Sequence, residues 1–126
     1  MLITPSAFAD GPSATSPDGK RVAAADGKVI NVIEAASGKI ILKVAAHTGN
    51  VTTVAFSPDG KLLVSAGADD VINIFDASSG VAMLKIGKAP PGIVALTFTP
   101  DGKTLIASDK EKVLRKWDAA TGKPKD

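Results

Sequence analysis

The chain has 126 residues, 44% hydrophobic and 22% charged, with a formal net charge of +2 and no cysteine. That content can fill one globular core. The small charge argues against nucleic acid or an anionic membrane as partner, and the missing thiols exclude disulfides, thiolate nucleophiles and cysteine-held metals while leaving the compartment open.

In chain order, residues 1–4 read as a short strand. Ala7-Phe8-Ala9 before Asp10 has the small-x-small form of a secretory cleavage site, but only six residues precede it and none is basic, so a strand and loop are the better reading. No apolar run approaches the roughly 20 residues needed to span a bilayer, so the chain as written is expected to be soluble. Ser13-Ala14-Thr15 leads into Ser16-Pro17-Asp18-Gly19-Lys20, which returns as SPDGK from Ser57 and as TPDGK from Thr99. The prolines, Pro17, Pro58 and Pro100, are 41 and 42 residues apart. A second marker runs EAASGK from Glu34, DASSG from Asp76 and DAATGK from Asp118, with Gly38, Gly80 and Gly122 spaced 42 and 42. The one-residue deficit therefore falls near Asp26.

Both markers are turns. Proline presets the first corner, aspartate bonds back to the backbone, and glycine takes the positive φ that closes a hairpin. Between them lie short β-branched runs without helical length or caps. The second copy gives strands at 51–56, 62–66, 71–76 and 81–86. In its first strand, strict alternation puts Val54 and Phe56 on one face and Val51, Thr53 and Ala55 on the other; the third copy matches with Leu96 and Phe98 against Ile93, Ala95 and Thr97. Neither face is charged, so each sheet must be covered on both sides. A period near 42 with four strands per repeat predicts an all-β propeller, three four-stranded antiparallel blades forming an arc or part of a closed ring. The repeats fall at about 6–46, 47–88 and 89–126 of one segment spanning 1–126, with 1–5 as the outermost strand of a preceding blade. In the first copy Ser13-Ala14-Thr15 replaces Val54-Ala55-Phe56, so its innermost strand should be weak.

The stretch AHTGNVTTVAFSPDGKLLVSAGADDVINIFD, residues 46–76, resembles a WD repeat, and KWDAATGK at 116–123 carries that family's Trp-Asp pair as Trp117-Asp118. The resemblance implies a hydrogen-bonded chain of histidine, serine, aspartate and tryptophan within a blade. The second copy supplies His47, Ser65 and Asp69, with Phe75 in the tryptophan place. The third keeps Ser108 and Trp117 but has Ala89 and Glu111 in the histidine and aspartate places. The first offers only Asp26, with Ile33 in the tryptophan place.

Three blades fall short of the usual four to eight or so in a closed ring. The chain is expected to begin with an outermost strand and to stop before the one its last copy requires. Further blades would come from identical chains or from a longer parent chain, the second being favoured because the copies differ so much.

As the only histidine, His47 is the one candidate general base, but a structural tie to Ser65 and Asp69 is the better reading. Asp69-Asp70 lacks the further oxygens a hard cation needs. Trp117 fits a core better than a binding hot spot, and Asn50-Val51-Thr52 opens a strand rather than an acceptor loop for glycans. The run Lys110, Lys112, Arg115 and Lys116 is diluted by Asp109 and Glu111. With no phosphate loop, nucleophile elbow or paired-histidine zinc motif, no enzyme activity, metal or cofactor is expected. The resemblance implies instead a scaffold that binds other proteins through its loops: Thr48, Gly49 and Asn50; Asp70; Lys88, Pro90 and Pro91; Lys110 and Lys112. The alternative is part of a propeller enzyme or ligand sensor with its site in the central channel.

Overall fold

A computed structural model describes residues 12–45, 47–86 and 92–125, and these form three antiparallel sheets of four strands with no helix. The first sheet holds β1 (Ser13–Thr15), β2 (Arg21–Asp26), β3 (Val29–Glu34) and β4 (Ile40–Ala45). The second holds β5 (Val51–Phe56), β6 (Leu62–Gly67), β7 (Ile72–Asp76) and β8 (Ala82–Ile86). The third holds β9 (Ile93–Phe98), β10 (Thr104–Asp109), β11 (Leu114–Asp118) and β12 (Pro124–Lys125). Strands pair in chain order, and β5 lies against β1 and β9, so the blades converge on their first strands. The weak innermost strand of the first copy is three residues long.

The repeated turns set this register. In the second blade Ser57 Oγ donates to Asp59 Oδ1 while accepting from the Leu62 N–H at 3.0 Å, and Asp59 Oδ1 also accepts from Lys61 N at 3.0 Å. Gly60, at φ +74°, closes the turn, and Ser16 and Thr99 build the same arrangement with Asp18 and Asp101. At the other marker Asp76 Oδ1 caps the N–H groups of Ser78 and Ser79, and Asp118 Oδ1 those of Ala120 and Thr121.

The core lies between blades. Ala23, Ala25, Ile30, Val32 and Val44 of the first meet Val51, Val54, Leu63, Phe75 and Ala77 of the second. The opposite face of the second, with Val64, Ala66, Ile72, Ile74 and Ile86, meets Ile93, Leu96, Phe98, Leu105 and Trp117 of the third. The requirement for cover on both faces is met in the second blade. In the third, Ala95, Thr97 and Leu114 are exposed, Ser108 stands where the second blade has Ala66, and exposed Lys116 stands where it has buried Ile74.

Three expectations need correction. Val51 packs with Val54 rather than opposite it, and Ile93 packs with Leu96 and Phe98. The cause is a β-bulge at Thr52 and another at Val94, each an extra residue that resets the two-residue alternation. Ser108 is not in the serine place: Ala107 pairs with Leu96 and Arg115 as Ser65 pairs with Val54 and Asn73. Finally, the last copy does have an outermost strand. Pro124 and Lys125 pair with Trp117 and Lys116, because the Asp118 turn already aims the chain back along β11. The strand expected at residues 1–4 lies outside the described residues.

Candidate functional site

The connection between the second and third strands differs from blade to blade, and the difference originates in the sequence. In the first blade Asp26 pairs directly with Val29, leaving Gly27-Lys28 as a two-residue turn. In the second, Gly67 N donates to Val71 O and three residues loop out, ending in Asp70 at φ 60°. In the third, Asp109 N donates to Val113 O and the loop ends in Lys112 at φ 65°. A three-residue hairpin loop closes on a left-handed residue, and here non-glycine side chains accept that conformation. The missing residue near Asp26 is thus one residue of this loop.

Behind the second blade's loop lies a hydrogen-bonded chain. His47 Nδ1 is 3.0 and 3.1 Å from the two oxygens of Asp69, and its Nε2 is 2.8 Å from Ser65 Oγ. With Asp69 ionised, Nδ1 donates to it, while Nε2 shares a hydrogen bond with the Ser65 hydroxyl, a group able to donate or accept. Asp69 also accepts the Thr48 N–H at 2.9 Å and the Val71 N–H at 3.3 Å. Burial raises the pKa of its carboxyl, but the Thr48 N–H, the charge and hydrogen bond of His47 and the Val71 N–H together outweigh burial and hold it below the ordinary value. Ser65 is fully buried and the His47 side chain is covered. Trp117 stands apart from this group, in the core between the second and third blades and opposite Leu105 in the sheet, and the serine place of its own blade is Ala107, which carries no hydroxyl.

Gly67 was not singled out in the sequence, yet the network depends on it. A β-carbon there would lie 2.6 Å from His47 Nδ1 and 2.8 Å from Asp69 Oδ1. The other blades carry Asp26 and Asp109 in its place, and Asp109 caps its own loop by accepting from Glu111 N at 2.9 Å and Val113 N at 3.0 Å. The signal was available: glycine and histidine occur together in one copy, and neither occurs at these places in the other two.

Of the expected contact residues, Thr48 bonds to this network and Asp70 follows it directly in the chain. Thr48, Asn50, Asp70, Lys110 and Lys112 are exposed and Gly49 is half-buried. Asn50 O accepts the Ala68 N–H at 2.8 Å and Gly27 O accepts that of Val51 at 2.8 Å, tying the entry to β5 to the loops on either side. A groove of about 370 Å³, lined by Thr52, Gly67, Ala68, Asp70, Val94 and Lys110 among others, joins the second and third blades. Lys88, Pro90 and Pro91 lie outside the described residues.

The family profile "WD domain, G-beta repeat" matches residues 38–76 and 84–118, more than half of the chain. The chain belongs to the WD-repeat family. The first match begins just before outermost strand β4 and the second within β8, and both run through the next blade's third strand, so the family's unit is staggered across two blades. A human protein, "U5 small nuclear ribonucleoprotein 40 kDa protein", is 36% identical over 55 residues, covering 43% of this chain and 15% of that protein. The solved structure "Kuenenia stuttgartiensis Hydrazine Synthase" superposes with a TM-score of 0.80 at 20% identity over 90% of this chain and 34% of its own, a likeness of fold alone. The chain therefore spans about a seventh of the curated relative and a third of the structural one.

Proposed function

We propose that this WD-repeat chain is a protein-interaction scaffold, completed by further blades, that meets its partner with the rim formed by Thr48, Gly49, Asn50, Asp70, Lys110 and Lys112. The observation that carries the reading is the way these exposed side chains are supported. Asp69, directly behind Asp70, is fixed by His47, Thr48 and Val71, so the rim is ordered before a partner arrives and association loses less freedom. Asp70 is acidic and Lys110 and Lys112 are basic, with Glu111 between them, which suits a partner of mixed charge. Among the described residues no three of His, Cys, Asp and Glu converge as a metal-binding set.

The test is capture from extracts of the source cells, comparing the wild-type chain with D70K/K110E/K112E and with K20E/K61E at the opposite end of the blades. A partner retained by wild type and K20E/K61E but lost by the rim variant is the expected outcome. Equal capture by all three would overturn the reading.

A further inference from the structure

The charges are segregated along the chain. No Asp or Glu occurs from residue 35 to 48 or from 77 to 92, the stretches that hold outermost strands β4 and β8, yet Lys39, Lys43 and Lys85 lie there, all exposed. Lys43 and Lys85 are 42 residues apart and sit opposite Asn31 and Asn73 in the neighbouring strand, so neither faces a carboxylate across its sheet. The ion pairs among the described residues, His47–Asp69 and Lys125–Asp118, involve neither.

Beside each of these lysines the outermost strand bulges. Val32 pairs with Leu42 and Ile33 with Ile40, which leaves Ile41 over; Ile74 pairs with Leu84 and Phe75 with Ala82, which leaves Met83 over. Ile41 and Met83 are 45% and 55% exposed, and Ile40 and Val81 beside them 47% and 60%. The two edges adjoin where Gly80, just before β8, sits against Val44 and Leu42 of β4: a β-carbon there would be 3.4 Å from Val44.

Lysines and bulges on an edge strand guard against pairing with another strand, and that accounts for part of this pattern. A guard alone gains nothing from projecting large apolar side chains into water next to ammonium groups. The combination refuses an added strand and offers side chains instead. We infer that the outer edge of the first two blades docks an acidic amphipathic helix of a partner protein, its carboxylates toward Lys43 and Lys85 and its apolar stripe over Ile41, Val81 and Met83. The pattern stops at the third blade, where Lys125 takes the place of Met83 and is 4.0 Å from Asp118. The inference shares with the scaffold reading only the idea that the chain binds protein, and it uses a different surface.

The probe is a fluorescein-labelled helical peptide of about five turns, leucine along one stripe and glutamate elsewhere, followed by anisotropy on the whole chain at roughly physiological salt, where surface charges beyond about 8 Å are screened. Saturable binding is expected, weakened at least ten-fold by K43E/K85E and by I41S/M83S and unchanged by K110E/K112E, with circular dichroism confirming that each variant is folded. Equally tight binding of polyglutamate or of a lysine-for-glutamate version would overturn the inference, as would unaltered binding by the edge variants or no binding at all. Protection of β4 amides from exchange by an extended peptide would show strand addition and overturn it too. Loss of the cellular partner through the rim variant alone concerns the scaffold reading, so the two can fail separately.

Discussion

Gly67 makes room for His47: a methyl group on its α-carbon would sit 2.7 Å from the imidazole Cγ, closer than non-bonded carbons approach. The backbone of Gly67 is not left-handed, so the requirement is for space rather than for conformation. Gly67→Ala is expected to destabilise the chain by about 2 kcal/mol, as overpacking does. In a His47→Ala background the same substitution should cost clearly less. Urea denaturation of the four proteins in this cycle measures the coupling, and a cost independent of His47 would contradict the argument.

Ser65 is buried with its hydroxyl on His47 Nε2 at 2.8 Å. Ser65→Ala leaves that nitrogen without its partner in a closed environment, and a loss of about 1–2 kcal/mol is expected. Placing serine at Ala107 should bring no comparable gain, because the residue in the third blade's histidine place is Ala89. Thermal melts of the two variants decide this.

Acid should weaken the fold from below about pH 4. Asp69, Asp18, Asp59, Asp76, Asp101 and Asp118 all hold their carboxyls below the ordinary 3.8. For Asp59 the leading cause is the Ser57 hydroxyl, for Asp76 the Ser78 hydroxyl, and for Asp118 the Thr121 N–H. A group depressed in the folded state contributes fully above its unfolded value and loses that contribution as pH falls toward the folded one. Urea midpoints should therefore hold steady from neutrality to about pH 5 and drop by about pH 3. Asp59→Asn should lower the midpoint at neutrality and flatten the acid drop.

Asp70 and Lys112 sit at φ 60° and 65°, which costs an L-residue roughly 1–2 kcal/mol, part of which glycine returns as chain entropy in the unfolded state. Asp70→Gly and Lys112→Gly are each expected to raise stability by about 0.5 kcal/mol. Differential scanning calorimetry on the single and double variants would show near-additive gains; a loss at either site would mean that the side chain makes a compensating contact.

Arg21 Nη1 donates to Ala77 O at 2.9 Å and joins the first blade to the second. The corresponding residue at the next junction is Leu62, so this tie is made once. Arg21→Ala should cost about 1 kcal/mol, and amide exchange should rise in the first blade more than in the third. A uniform rise across all three would show that the blades open together.

Turn chemistry was legible before any coordinates. Proline, aspartate and glycine at fixed offsets placed the second copy's strands to within a residue, since those types leave the backbone few conformations. The side on which Val51 lies was not legible, because the bulge at Thr52 leaves no trace in a two-residue period. Ser108 was assigned by residue type, whereas the register counts from Pro100 and arrives at Ala107. His47, Ser65 and Asp69 could be named from the family's pattern. The co-occurrence of Gly67 with His47 in one copy was a visible signal, but the close approach that explains it is a contact between side chain and backbone, which spacing does not encode. β12 was missed because two residues, one of them proline, carry almost no strand propensity.

The shortened turn at Gly27-Lys28 has a consequence for recognition. Three near-copies of a blade would otherwise show a visitor three interchangeable corners, and it could settle in any of three rotational settings. A bare glycine-lysine corner, an acidic corner at Asp69-Asp70 and a mixed one at Lys110-Glu111-Lys112 break that degeneracy, so a molecule spanning all of them fits in a single orientation.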